Sequence, residues 1–347
     1  MKHLIFLFFV LPLLAGKGGS LINEKVLICG VCRDVGDRLP STIKIMEGLG
    51  AKFRSYRVIV YENNSSDATK EILKEWKSTN PRVFAISENV EDKTLKESII
   101  NYKEGKYYKP EEIARARNIV LDKAMSAEYK DYTYVIWLDM DFKIAPNVEG
   151  INELFKGTRD WDAVFAYGID PPGIYWDWYA FRDKEEPLGS ETLGNTWWYL
   201  PKKFKLTIKD SWYPVYSAFG GCGIYKKSSI IGCRYSAVVT KDLEELTKKI
   251  LKETAPTNKS IQIYNDLLKN TSTFVTLSHP KIGLEPITDP TVGIFLSNDP
   301  SAPIFRMSSF VYQYPSVCEH VTFHASMIMK GHGKLYINPR IVFHYGG

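Results

Sequence analysis

The segment Tyr134-Val-Ile-Trp-Leu-Asp-Met-Asp-Phe142 constrains the fold of this chain more than any other. Its first five residues are β-branched, aromatic or aliphatic, which predicts a strand buried inside a sheet. Asp139 and Asp141 follow at once, and side chains two residues apart in an extended segment point the same way. Carboxylates beside an apolar core are costly unless a cation meets them. We therefore expect Asp139 and Asp141 to hold one divalent cation, Mn²⁺ or Mg²⁺, which both prefer oxygen ligands.

The same Asp-x-Asp pattern also occurs in turns and helix caps, and Pro146 follows shortly afterwards. A cap or turn therefore stays open as the alternative interpretation. In open α/β sheets, however, ligands bind at the carboxyl ends of strands. The long apolar run before Asp139 favours a ligand site at the end of a buried strand.

The residues before this segment alternate between strand and helix patterns. Strands are predicted at 25–32, 56–61 and 82–86, and helices begin at Pro40, Asp67 and Pro110. Such alternation is typical of parallel strands joined by right-handed crossovers. After Asp141, the pattern predicts a helix from Pro146, a strand at 162–167, helices at 242–252 and within 317–331, and two short strands within 334–344. The fold class is therefore α/β, with a mostly parallel sheet flanked by helices.

Residues 1–20 resemble a targeting segment. Lys2 and His3 precede an apolar run over 4–15, which is shorter than the roughly 20 residues of a spanning helix. A signal peptide or a short signal anchor fits, with a buried first strand as the alternative. We expect the secretory pathway or membrane association through this segment, with a cytoplasmic location as the alternative. The remaining chain divides near residue 168 into two halves, 21–168 and 169–347.

Charge and cysteine content narrow the function classes. The 347 residues carry 45 Lys and Arg against 40 Asp and Glu, a formal net charge of +5. The two signs are interspersed, so no basic face for nucleic acid is predicted. Cys29 and Cys32 have redox or zinc spacing, but no second pair follows, and cysteines of the core are expected. A disulfide between Cys222 and Cys233 stays open for an oxidising compartment.

Several polar residues follow the predicted strands or lie near them. Glu62, Asn63 and Asp67 occupy the turn after the second strand, where they can hydrogen-bond a ribose and base; helix capping would explain Asp67 but not Glu62. Arg117 on the predicted third helix suits a pyrophosphate, although a solvated surface Arg is the common case. His344 ends the last predicted strand and suits a metal, although a lone His seldom proves to be a ligand.

The stretch 173–214 is rich in Trp and Tyr. Rings with polar tips stack on the apolar face of a pyranose while their edges donate hydrogen bonds. A sugar acceptor is therefore expected to bind here. The alternative is that most of these rings pack a long loop onto the body of the protein.

Four segments together resemble the GT-A glycosyltransferases. They are the first strand, the turn Glu62-Asn-Asn-Ser-Ser-Asp-Ala-Thr69, the helix with Ala114-Arg-Ala-Arg-Asn118, and Trp137-Leu-Asp-Met-Asp141. The closest resemblance is to fungal Golgi mannan polymerase mannosyltransferases, followed by the capsule α-1,3-mannosyltransferases. It covers about residues 25–168 and 316–345, and the C-terminal part fits through Glu319, Gly331, Tyr336, Pro339, Val342 and His344. The stretch Cys318-Glu-His320 departs from the mannan polymerase pattern.

The resemblance implies a Rossmann-like GT-A domain, with a nucleotide-sugar-binding half over 21–168 and an acceptor-binding half over 169–347. By similarity, His344 would join Asp139 and Asp141 around Mn²⁺ or Mg²⁺, and Glu62 and Asp67 would lie beside the nucleoside. The donor would be a nucleotide sugar, with GDP-mannose favoured, and the acceptor a glycan or glycoconjugate.

The predicted reaction is metal-dependent transfer of a hexose to a glycan hydroxyl. An inverting enzyme needs a carboxylate base, for which Glu319 is the candidate and Asp170 or Asp177 the alternatives; the resemblance favours retention, in which the leaving phosphate can take the proton. Two rival functions stay open. A nucleotidyltransferase would want a glycine-rich loop after the first strand, but residues 33–37 hold one Gly. A non-catalytic GT-A-like glycan-binding protein would not need its metal ligands.

Overall fold

The computed structural model describes residues 22–100, 102–103, 106–107, 109–142, 144, 146–170, 173–269, 294–295, 305–306 and 315–345. The predicted targeting segment, 1–20, lies outside the described residues. Among the residues described, no helix combines the length and the apolar character needed to cross a membrane.

The strands and helices alternate along the first half of the chain and become irregular in the second. The strands are β1 (Ile22–Cys32), β2 (Phe53–Asn63), β3 (Val83–Glu88), β4 (Tyr102–Lys103), β5 (Lys106–Tyr107), β6 (Tyr134–Leu138), β7 (Ala163–Asp170), β8 (Ile174–Tyr175), β9 (Tyr213–Pro214), β10 (Cys222–Lys226), β11 (Ile294–Phe295), β12 (Phe305–Arg306) and β13 (Leu335–His344). The helices are α1 (Leu39–Gly50), α2 (Thr69–Thr79), α3 (Asp92–Ser98), α4 (Lys109–Met125), α5 (Glu149–Lys156), α6 (Ser190–Leu193), α7 (Lys241–Glu253), α8 (Lys259–Lys269) and α9 (Glu319–Met329).

One nine-stranded sheet takes strands from both halves of the chain, in the order β3-β2-β1-β6-β10-β7-β13-β9, with β8 paired to β7. The pairs from β3 to β6 are parallel, as the βαβ pattern predicts. The α/β fold class is thus confirmed, but the sheet is mixed. Strand β10 lies antiparallel between β6 and β7. The long connection from 176 to 221 sets its direction, and no periodicity in the sequence encodes that direction.

Apolar side chains cover both faces of the sheet. In β6, Val135 and Trp137 are fully buried on the face covered by α4, α7 and α9. Ile136 and Leu138 are buried on the other face, with α1, α2 and α5. Each such side chain contributes about 1.5–3 kcal/mol by its burial. Because side chains on both faces of β6 are buried, the strand carries no charged residue before Asp139.

The C-terminal strand differs from its prediction. Two short strands are expected within 334–344, but β13 is one strand from Leu335 to His344 that pairs with β7. Its register with β7 shifts between Asn338 and Val342. Pro339 lies there, and because it lacks an N–H it cannot donate to the ladder. The proline thus makes the register irregular without ending the strand.

The cysteines belong to the core. Cys29, Cys32, Cys222, Cys233 and Cys318 are all free and buried. The expectation of core cysteines is confirmed, and a disulfide between Cys222 and Cys233 is absent. Burial raises the pKa of the Cys29 thiol far above its usual range, so this thiol is neutral.

Candidate active site

A cleft of about 420 Å³ opens where the parallel strands end. Its walls come from the ends of β1, β2 and β6, from the first half of α4, from the loop after β8, and from the start of α9. A cleft at the carboxyl ends of the strands is where open α/β sheets bind ligands. Most of the residues singled out in the sequence can be placed relative to this cleft.

Asp139 and Asp141 both line the cleft. The backbone N–H of Asp139 donates to the carbonyl of Gly221 at 3.0 Å, which fixes the end of β6. Met140, between them, is buried against Gly30, where any Cβ would lie 2.5 Å from the Met140 sulfur. Because Met140 is held in the core, the two carboxylates are left on the cleft side. The predicted i and i+2 arrangement is therefore present.

Arg117 links three parts of the chain beneath the cleft. Its Nη2 lies 3.3 Å from Asp139 Oδ1, and its Nε lies 3.2 Å from Glu319 Oε1. The guanidinium is 5.3 Å from the ring centre of Trp137 and 5.0 Å from that of Phe219. Burial lowers the pKa of Arg117, but Glu319 and Asp139 outweigh it, so the net shift is upward. A permanently charged group is thus held against two carboxylates, and its Nη1 is buried without a hydrogen-bond partner among the described residues.

The ionised form of Asp139 is disfavoured in this arrangement. Burial raises the pKa of Asp139 to about 7, and Asp141 adds to the rise. Arg117 and the Tyr345 hydroxyl, which donates to Asp139 Oδ2 at 2.8 Å, oppose the rise. Asp141 is 43% exposed, with Arg38 Nη1 3.6 Å from its Oδ2. The negative charges of Asp139 and Asp141 are therefore only partly neutralised, and a further cation beside them would be stabilised.

The donor set fits Mg²⁺ or Mn²⁺ held by two carboxylates. Mg²⁺ usually binds one or two protein carboxylates and completes its shell with water and substrate phosphates. Within the described residues no group of three or more His, Cys, Asp or Glu is arranged so that it could hold a metal ion. His344 does not line the cleft, so the structure does not place it with Asp139 and Asp141, and its role as a third ligand stays a prediction.

The next residue, Tyr345, reaches the cleft instead. Tyr345 directly follows β13, and because adjacent residues of an extended segment point to opposite faces, Tyr345 lines the cleft while His344 does not. Gly221 has φ +85°, and a Cβ there would lie 2.7 Å from the Tyr345 hydroxyl. A glycine at 221 therefore admits the contact between Tyr345 and Asp139. Sequence reasoning missed Tyr345, although strand alternation beside His344 could have indicated it.

The polar residues at the end of β2 and in the turn after it divide into two groups. Asn63 lines the cleft and donates to Glu112 Oε1 at 2.9 Å. Glu62 is fully buried outside the lining and accepts hydrogen bonds from the Ser65 N–H and the Ser87 hydroxyl. Asp67 accepts from the Gly36 N–H at 2.8 Å and also lies outside the lining. The structure brings Asn63 to the cleft, whereas Glu62 and Asp67 serve the turns.

The candidate bases also separate. Asp177 and Glu319 line the cleft, and Asp170 does not. Asp177 Oδ2 accepts from the Gly220 N–H at 2.9 Å. Burial raises the pKa of Asp177 to about 6, and the charge of Glu319 contributes to the rise. Glu319, at the first position of α9, is paired with Arg117. Of the two carboxylates, Glu319 is held in an ion pair with Arg117, and Asp177 is the better candidate for a base.

The aromatic stretch contains both packed and exposed rings. Tyr175 and Phe181 are buried in the core, as the packing alternative requires. Trp176 is 54% exposed, lines the cleft and stacks on Tyr345 with ring centres 5.9 Å apart. Tyr179 also lines the cleft and stacks on the exposed Trp198 at 5.8 Å. We call Trp176, Tyr179 and Trp198 the aromatic shelf.

The fold and the cleft carry the features expected of a glycosyltransferase, and comparison with known proteins gives the same class. A family model described as Cryptococcal mannosyltransferase 1 matches residues 32–250. The chain belongs to this mannosyltransferase family. The predictions of an enzyme and of a glycosyltransferase are thereby confirmed at the level of the family, while the finer resemblance to the mannan polymerase enzymes stays a prediction. No curated protein matches the sequence.

Solved structures with partial similarity include the following three. TarS of S. aureus has a TM-score of 0.34 at 13% identity, over 61% of this chain and 30% of TarS. The mannosyltransferase PcManGT from Pyrobaculum calidifontis, in complex with GDP-Man and Mn²⁺, has a TM-score of 0.34 at 14% identity, over 67% of this chain and 53% of that one. Glucosyl-3-phosphoglycerate synthase from Mycobacterium tuberculosis, in complex with UDP, has a TM-score of 0.32 at 14% identity, over 63% and 65%. The matches thus span less than two thirds of each of these proteins.

Proposed function

We propose that this protein is a metal-dependent GT-A glycosyltransferase that moves a mannosyl group from GDP-mannose to a hydroxyl of a glycan or glycoconjugate. The observation that carries the proposal is the pair Asp139 and Asp141 at the end of β6, set in a cleft beside the buried Arg117. The mannosyltransferase family favours mannose and speaks against the nucleotidyltransferase and the non-catalytic alternatives. Residues 1–20 support a place in the secretory pathway or on a membrane.

The charged residues of the cleft support binding of the diphosphate beside Asp139, Asp141 and Arg117. Asp139 and Asp141 would hold Mn²⁺ or Mg²⁺, which when bound neutralises the leaving diphosphate. Arg117 is charged, and its Nη1 has no partner in the described structure. Asp139 and Glu319 already orient this guanidinium, which favours its use towards phosphate oxygens. Arg117 therefore orients the diphosphate and shares its charge.

The sugar would lie between the diphosphate and the aromatic shelf. In the reaction, the bond from the anomeric carbon to the phosphate oxygen breaks and a bond to the acceptor oxygen forms. The acceptor loses its proton to a base. Asp177 suits that task because it lines the cleft and its pKa lies near neutral pH. Glu319, the base predicted first, instead holds Arg117 in place. The exposed faces of Trp176 and Tyr179 offer the acceptor glycan a stacking surface.

A donor panel tests the proposal. The full-length protein is incubated with GDP-mannose, GDP-fucose, UDP-glucose and UDP-GlcNAc, each with Mn²⁺, Mg²⁺ or a chelator, and release of nucleoside diphosphate is measured. We expect hydrolysis of GDP-mannose above the other donors and its loss in the chelator. Equal hydrolysis with and without metal, or hydrolysis of none of the four donors, would contradict the proposal.

A further inference from the structure

His320 is a buried side chain at the floor of the cleft that the proposed reaction does not yet use. It lies in the first turn of α9, contributes to the cleft lining and is 3% exposed. Its ring stacks on Phe219, with centres 3.9 Å apart and planes 19° apart. The stack fixes the plane of the imidazole, so its nitrogens point in fixed directions.

Neither nitrogen of His320 has a hydrogen-bond partner among the described residues. The nearest acceptor is Glu319 Oε1, at 3.6 Å from Nε2. His324, one turn further along α9, provides the contrast. Its Nδ1 lies 2.9 Å from the Ser217 hydroxyl and its Nε2 lies 3.0 Å from the Tyr225 hydroxyl. Two buried histidines of one helix thus differ: one is satisfied by the fold, and the other is left with two unused polar atoms.

An unpaired buried polar group costs about 1–3 kcal/mol, so a fold rarely keeps one without a use. Burial lowers the pKa of His320 well below its usual range, and Arg117 lowers it further. The ring is therefore neutral, with one nitrogen as donor and the other as acceptor. A hydroxyl group, which both donates and accepts, can pair with either of these nitrogens. A phosphate oxygen, which only accepts, can pair only with the nitrogen that carries the proton.

The neighbours of His320 indicate which hydroxyl. A chain of contacts runs from Asp139 through Arg117 and Glu319 to His320, at 3.3, 3.2 and 3.6 Å. The first two residues of this chain belong to the proposed diphosphate site. The hexose of a nucleotide sugar is bonded directly to the diphosphate, so it must occupy the adjoining part of the cleft. The acceptor would come from the exposed side, over the aromatic shelf.

We propose that His320 hydrogen-bonds a hydroxyl of the donor hexose and so helps to select the sugar, an inference that rests on the proposed function. Phe219, which also lines the cleft, packs under the imidazole ring of His320. His320 recognises the sugar rather than the nucleotide. Its loss therefore weakens the binding of the sugar nucleotide and spares that of the free nucleoside diphosphate.

The experiment compares GDP with GDP-mannose, and UDP with UDP-glucose, by calorimetry in the presence of Mn²⁺. His320→Phe keeps a flat ring on Phe219 and removes both nitrogens. His320→Gln keeps a donor and an acceptor at similar reach and guards against a folding failure of the first variant. For the pair that binds wild type, we expect His320→Phe to weaken the sugar nucleotide about tenfold to 100-fold. The nucleoside diphosphate should change less than twofold, and His320→Gln should recover part of the loss.

Two results would overturn the inference while leaving the proposed function intact. One is equal weakening of the sugar nucleotide and the nucleoside diphosphate in both variants, which would mark a structural role. The other is unchanged binding of the sugar nucleotide in His320→Phe. If wild type bound neither pair with Mn²⁺, the proposed function would fail, and the inference with it.

Discussion

Two polar clusters at the same edge of the sheet differ in how completely their hydrogen bonds are made. The turn cluster, Asp34, Glu62 and Asp67, follows β1 and β2. Its carboxylates accept from backbone N–H groups: Ser66 to Asp34 at 2.7 Å, Ser65 to Glu62 at 2.7 Å and Gly36 to Asp67 at 2.8 Å. The cleft cluster, Arg117, Asp139, Glu319 and His320, contains buried nitrogens without partners in the described structure. A complete network stabilises a turn, whereas an incomplete one leaves atoms for a ligand.

The pKa shifts of Asp34 and Asp67 in the turns are opposite in sign to that of Asp139 in the cleft. Hydrogen bonds from Thr69 lower the pKa of Asp67, and the Ser66 N–H lowers that of Asp34. Burial raises the pKa of Asp139, although Arg117 lies beside it. The turns favour the charges of Asp34 and Asp67, whereas the cleft disfavours the charge on Asp139. Polar residues after an apolar strand look alike in sequence, but these environments separate a structural role from a binding role.

The largest expected effect is that of Arg117→Met. Removal of the guanidinium leaves Glu319 and Asp139 without their buried partner, which should lower the free energy of unfolding by about 3–5 kcal/mol. Urea denaturation measures this. The control is Arg115→Met on the same helix, where loss of the partly exposed pair with Glu88 and of the hydrogen bond to the Tyr61 hydroxyl should together cost less than about 2.5 kcal/mol. Similar losses in the two variants would mean that the cleft cluster is not held by Arg117.

A smaller effect separates the turn cluster from the cleft. Both oxygens of Glu62 accept hydrogen bonds from donors around them. Glu62→Gln replaces one of these oxygens with an NH₂ donor, so the free energy of unfolding should fall by about 1–3 kcal/mol. GDP affinity should stay within twofold of wild type because Glu62 does not line the cleft. Asn63→Ala, one residue on and inside the cleft, should weaken GDP by about tenfold. Loss of GDP binding in a well-folded Glu62→Gln would restore the sequence prediction that Glu62 contacts the nucleoside.

The smallest expected effect is a difference in pH dependence. Burial lowers the pKa of His324 to about 3, against 6.5 for an ordinary His. Below pH 6.5 the unfolded chain therefore binds a proton that the folded chain does not, and stability falls as the pH drops towards 3. His324→Gln cannot bind that proton, so its stability should fall less steeply, by about 1.4 kcal/mol per pH unit. Parallel curves for wild type and variant between pH 6 and 4 would contradict a neutral buried His324.

Much of the fold was predictable because periodicity reports burial directly. The apolar run before Asp139 specified β6 at its observed bounds, and the βαβ pattern specified the parallel half of the sheet. The direction of β10 and the continuity of β13 past Pro339 were not predictable, since they depend on long connections and on tolerance of an irregular register. Boundaries differ by a few residues where a polar residue precedes the helix, as at Asp67, since α2 begins at Thr69.

The site was predictable where chemistry follows strand ends and unpredictable where it depends on orientation. Asp139, Asp141, Asn63, Arg117 and Glu319 all line the cleft. Glu62 and Asp67 have the same polar character as Asn63, and only their hydrogen-bond partners show that they serve the turns. Tyr345 lies in the cleft where His344 was expected, because one step along a strand reverses the face.

Calorimetric titration of GDP with Mn²⁺, Mg²⁺ or chelator tests the central claim most directly, in wild type, in Asp141→Ala, and in Asp160→Ala. Asp160 is an exposed carboxylate paired with Lys226 outside the cleft, so its variant is the matched control. We predict that wild type and Asp160→Ala bind GDP only with metal, and that Asp141→Ala loses this binding without a change in thermal midpoint. GDP binding by Asp141→Ala with the metal dependence of wild type would contradict the account.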